Sequence, residues 1–166
     1  MSNLDQQIIA LKTGKLHRFS DWPNRDIPRV AAGVYSIWND QDVLIYVGMA
    51  GRGKTVESLR SALEQGKKTG LIERLNSHAS GLRSGDQFCV YVQDLLVLPT
   101  LTSKDIERVI ARELSLDRLV RDYIRKNLSY RYVTAEDGDS AVAIERKIIN
   151  GDLGEYPILN PPSGMR

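Results

Sequence analysis

Two short runs rich in β-branched and aromatic residues, 33–38 and 43–48, flank the polar stretch Asn39-Asp40-Gln41-Asp42. Such runs around turn-forming residues predict a β-hairpin. Elsewhere apolar residues return every three or four positions, the period of a helix with one buried face. Leu4 to Leu11 is the first such segment. Thr55 is placed to cap a second, with Val56, Leu59 and Leu63 on one side. Gly66 and Gly70 break that pattern before a helix over 71–80, which Gly81 stops. The apolar run at 87–93 predicts a strand. Ser103 caps a helix near 104–113, a second follows near 116–127, and 130–133 predicts a short strand. The last helix spans 140–150 with Gly151 as its stop, and Pro157, Pro161 and Pro162 predict an extended tail. Strands and helices mix without regular βαβ alternation, so the expected class is α+β: a small antiparallel β-sheet flanked by helices.

A symmetric turn in the hairpin sets Trp38 opposite Val43, Ile37 opposite Leu44 and Tyr35 opposite Tyr46. Opposed residues project to the same face, so both phenols are expected side by side. Their pairing either stabilises the hairpin or forms part of a site. Gly48, at the end of its strand, leaves room for a close approach by backbone or ligand. Further on, Arg74 and His78 are four apart and share a helix face with Leu71 and Leu75. That pair reads either as a surface arginine above a half-buried histidine, or as a phosphate clamp beside a group that titrates near neutral pH. In the last helix, position 145 falls in the stripe of Ala141, Ile144 and Ile148 that should face the core. It is a glutamate, and an ionised carboxylate there requires a cation. An arginine, with Arg74 one candidate, or Mg²⁺ meets that need.

The chain has 166 residues, 42% hydrophobic and 27% charged, which suits a single domain with its own core. Its lone cysteine, Cys89, sits in an apolar run, reads as a small buried hydrophobe and fits a reducing compartment. The first residues lack the apolar core of a signal peptide and no run reaches membrane-spanning length, so the expectation is a cytoplasmic protein without a membrane partner. Net charge is only +2. Cations cluster locally, with Arg52, Lys54, Lys67 and Lys68 in one segment and Arg108, Arg112, Arg118, Arg121 and Arg125 in another. Each cluster reads either as a solvated face or as a phosphate-contacting surface. Phe19, Trp22 and Trp38 are the aromatics that could stack on single-stranded bases. The apolar residues at 106, 109, 110, 119, 120 and 123 are expected to pack in the core.

Gly33-Val34-Tyr35, Tyr46-Val47-Gly48, Arg74 and His78 on one helix, Glu145 on a later one and Asn160 near the end together resemble the GIY-YIG nuclease superfamily. The likeness covers 33–48, 70–80 and 140–161, with valine in place of isoleucine in both tripeptides. It implies an endonuclease that hydrolyses DNA phosphodiester bonds with Mg²⁺ or Mn²⁺, restriction-like or repair-like, with RNA open as a substrate. By resemblance Glu145 holds the metal, Tyr35 takes the proton from the attacking water, and Tyr46 positions water or phosphate. Arg74 opposes charge in the transition state, His78 hydrogen-bonds a tyrosine or relays its proton, and Asn160 braces the site. Arg52, Lys54, Lys67, Lys68, Arg112, Arg121 and Arg125 are the expected nucleic-acid contacts. Relative to the small core of that superfamily, 1–30 is an extension, while 54–68 and 100–129 are insertions. The alternative is a catalytically inactive nucleic-acid-binding module on the same fold.

Overall fold

A computed structural model describes residues 3–160. It is α+β, built on a mainly antiparallel sheet. The strands are β1 (His17–Arg18), β2 (Val30–Asn39), β3 (Leu44–Ala50), β4 (Thr69–Gly70) and β5 (Leu128–Ala135). Their order is β1-β5-β2-β3, and β4 adds a short parallel pairing at the start of β2. The helices are α1 (Asn3–Thr13), α2 (Val56–Glu64), α3 (Leu71–Ser80), α4 (Gln87–Val92), α5 (Ser103–Ile110), α6 (Leu116–Asn127) and α7 (Gly138–Ile149). No helix among the described residues is long and apolar enough to cross a membrane.

β2 is buried along nearly its whole length because both faces of the sheet are covered, and its sequence is accordingly an almost unbroken apolar run. On one face Tyr35 and Ile37 join Leu71 and Leu75 of α3, Phe88 and Val92 of α4, and Val120 and Ile124 of α6. On the other, Val34 and Trp38 meet Ile8 and Leu11 of α1 and Ala141, Ile144 and Ile148 of α7. The tail runs beside the outer edge of β3. There Ile158 and Leu159 donate backbone N–H groups to the carbonyls of Leu44 and Ile45, so the edge is not left open. Pro161 and Pro162 lie outside the described residues.

Four expectations need correction. The hairpin is not symmetric: Ile37 pairs with Tyr46 but Trp38 pairs with Leu44, so a bulge at this point leaves Ile45 as the extra residue. Tyr35 therefore faces Gly48, and Tyr46 sits diagonally from it on the same face. The segment 87–93 is helical, because Asp86 caps it through the N–H groups of Phe88 and Cys89 and buries Phe88, Cys89 and Val92 on one side. A short apolar run cannot be told from a buried helix turn by period alone. Core packing fails for α5, where Ile106 and Ile110 are 50% and 77% exposed. Phe19 and Trp38 are core residues, which removes them as stacking platforms.

Candidate active site

The bulged hairpin explains the glycine at 48. A Cβ there would land on the hydroxyl and Cζ of Tyr35, well inside contact distance. The missing side chain lets the Tyr35 ring lie across β3 with its hydroxyl at the wall of a pocket. Tyr46 stands next to it, with ring centroids 6.4 Å apart. After β3 the chain turns through Gly51 and Gly53, both at positive φ, and this loop abuts the start of α7, where Gly138 donates to the Lys54 carbonyl. The contact brings Arg52 to Glu145, 3.5 Å between guanidinium and carboxylate. Arg52 is thus a cation beside Glu145, while Arg74 lines the same pocket. Glu145 lies at the edge of its helix stripe, with its side chain 16% exposed, rather than within the core.

The resulting pocket has a volume of about 590 Å³, and Tyr35, Tyr46, Arg52, Arg74 and Glu145 all line it, along with Gln87 and Tyr91. His78 lies behind Tyr35, buried, with Nε2 2.7 Å from the phenolic oxygen. Its other nitrogen is 2.6 Å from the carboxylate of Asp86, also buried. The rings of Tyr35, Tyr46 and Phe88 surround the imidazole. Burial holds His78 below its ordinary pKa, against the opposing pull of Asp86. Burial and then the neighbouring Tyr46 raise Tyr35 well above its usual range, an effect that Arg74 opposes. Asn160 is buried at the far side of β3, where its amide accepts from the Val47 N–H and donates to the Val47 carbonyl, 2.8 Å each. It clamps the peptide adjoining Tyr46.

Six residues expected from sequence to be catalytic thus gather around one strand, four of them in the pocket wall. The proposed nucleic-acid contacts are more scattered. Arg52 lines the pocket, while Lys54, Lys67 and Lys68 are exposed on either side of α2, which buries no residue. Arg112, Arg121 and Arg125 do not line the pocket. Arg125 donates to the Ala79 carbonyl and Arg121 pairs with Asp122. Sequence reasoning missed Asp86, Gln87 and Tyr91 because a strand over 87–93 gives Asp86 no helix to cap; an Asp before an apolar run was the available sign of a helix cap.

As a metal centre the pocket offers one carboxylate, Glu145, already placed against a cation. That donor suits Mg²⁺, which is commonly held by one or two carboxylates and retains several waters. Among the described residues no three His, Cys, Asp or Glu side chains converge on one point. Compared with protein-family models, curated proteins and solved structures, the chain matches none.

Proposed function

We propose that this protein is a metal-dependent endonuclease acting on DNA phosphodiester bonds, of the GIY-YIG kind its sequence resembles. The observation that carries the reading is the shared pocket: the phenols of Tyr35 and Tyr46, the guanidiniums of Arg52 and Arg74 and the partly buried carboxylate of Glu145 all line it, and a histidine backs Tyr35. Arg74, exposed at the pocket wall, offers its planar donor face to a phosphodiester and opposes the charge that grows during attack. Tyr46 orients the phosphate or the attacking water beside it. Tyr35 accepts the water's proton while its own hydroxyl proton is held by His78. Asn160 keeps the β3 backbone in place beneath Tyr46 and does not touch the substrate. Glu145 would hold Mg²⁺ or Mn²⁺, which supplies Lewis-acid stabilisation of phosphoryl oxygens when bound. The exposed Lys54, Lys67 and Lys68 offer cations to the duplex backbone, and a reducing cytoplasm suits the buried thiol of Cys89.

Metal-dependent protection against thermal unfolding tests the carboxylate's role. Mg²⁺ is expected to raise Tm of the wild type and to leave Glu145→Ala unmoved. Equal shifts in both proteins would rule out Glu145 as the ligand.

A further inference from the structure

Asp86 lies outside the hairpin and outside every segment that carries the family resemblance. Its two oxygens are divided between two tasks. Oδ1 accepts from the N–H groups of Phe88, at 3.0 Å, and Cys89, at 3.4 Å, at the start of α4. Oδ2 lies 2.6 Å from Nδ1 of His78. The opposite ring nitrogen is 2.7 Å from the Tyr35 hydroxyl. Asp86, His78 and Tyr35 are 2%, 1% and 1% exposed, so water does not compete along this chain of contacts.

The direction of each hydrogen bond follows by elimination. An ionised carboxylate only accepts, so Nδ1 of His78 carries the hydrogen. A buried neutral imidazole then has a bare Nε2, and the Tyr35 hydroxyl donates to it. Arg74, one turn earlier on α3, also disfavours a second proton on the ring. The other groups facing this chain are the Ser77 side chain of α3, which hydrogen-bonds Asp86, Tyr46 from β3, Glu145 from α7 and the Cys89 thiol of α4, whose sulfur donates to the His78 carbonyl at 3.7 Å.

We propose that Asp86 is a positioning residue for proton transfer at Tyr35: it fixes His78 as the Nδ1–H tautomer, so that Nε2 is the acceptor for the phenol's proton. This rests on the nuclease reading of the pocket. In the step, a water O–H bond breaks and its proton passes to the Tyr35 oxygen as the hydroxyl proton moves to Nε2. The freed electron pair forms the new P–O bond, and the P–O bond to the leaving oxygen breaks. Solvent protonates that oxygen, and the imidazolium, held beside Asp86, returns its proton to the Tyr35 oxygen as the Tyr35 hydroxyl proton leaves to the pocket.

Asp86→Asn is the decisive variant. The helix cap needs an acceptor, so the amide oxygen stays on Phe88 and Cys89 and the NH₂ group turns to His78. Nδ1 must then accept, the hydrogen moves to Nε2, and the bond to Tyr35 reverses. The chain has two histidines, so ¹H–¹⁵N long-range correlation spectra of ¹⁵N-histidine protein, assigned with His17→Gln, can follow the tautomer of His78 directly. The expected result is Nδ1–H in the wild type and Nε2–H in Asp86→Asn, with unchanged circular dichroism. Single-turnover DNA cleavage should fall on the order of 10⁴-fold, the size of a wrong-tautomer effect in a Ser-His-Asp triad. An Nε2–H wild type, or a reversed tautomer with undiminished cleavage, overturns the proposal. If the wild type cuts no nucleic acid, the nuclease reading falls and the catalytic part of this one falls with it, while the spectra still decide the hydrogen-bond direction.

Discussion

Replacing Gly48 with alanine puts one methyl group where the Tyr35 phenol now lies. Overpacking a buried site costs about 1–3 kcal/mol, whereas losing the flexibility of glycine in the unfolded chain returns about 0.4–1 kcal/mol. The ring must also move, and any movement stretches its 2.7 Å bond to His78. Leaving that buried pair unsatisfied costs a further ~1–3 kcal/mol, so the net loss is about 1–5 kcal/mol. Tyr35→Phe removes the same hydrogen bond without the methyl group. In the double variant the bond can be lost only once, and the free ring is able to shift. The two changes should therefore be less than additive by about 1–2 kcal/mol in a urea-denaturation cycle. Costs that add to within ~0.5 kcal/mol would refute the assignment of Gly48 to the Tyr35 hydroxyl.

Acidification should weaken the fold in two steps. The folded pKa of His78 lies below its ordinary 6.5, so as pH falls past that value the unfolded chain takes up a proton the folded chain does not, and stability drops. Each histidine contributes a slope of at most about 1.4 kcal/mol per pH unit, so His78→Gln should remove one share and leave that of His17, whose folded pKa partial burial also lowers. Asp86, held below its ordinary 3.8 against the cost of burial by its bond to His78, adds a second loss below that pH. Asn160→Ala strips both partners from the Val47 peptide and should cost about 2–4 kcal/mol by denaturant titration, with Asn160→Asp keeping only the bond from the Val47 N–H. A loss under 0.5 kcal/mol would mean the clamp is not needed. If Lys67 and Lys68 contact phosphates, Lys67→Ala with Lys68→Ala should lower the log–log salt dependence of DNA binding by about 1–2, measured by fluorescence anisotropy.

Much of the site was legible because its residues obey local rules. Arg74 and His78 share a helix face by spacing alone, and the same reasoning put a carboxylate at 145 within the apolar stripe of α7, whereas it lies at the stripe's edge. The partner of Glu145 could not be read, because it depends on how the loop at 51–54 meets Gly138, a contact between segments distant in sequence. Nor could the tyrosine register, since one bulge residue, Ile45, shifts Tyr46 from opposite Tyr35 to the diagonal. The strand assigned to 87–93 had a larger consequence. It hid the cap at Asp86, and with it the carboxylate that orients His78. On α5 the helical period was correctly read but its apolar face is exposed, because amphipathicity shows which side is apolar and not what covers it.

Relaxation of supercoiled plasmid by the purified protein tests the central claim most directly, run with Mg²⁺, with Mn²⁺ and with EDTA beside Tyr35→Phe and Glu145→Ala. The account predicts nicking that requires the divalent ion and is lost in both variants while DNA binding survives. Plasmid left intact by the wild type under every metal condition, or nicking that persists in both variants, would contradict it.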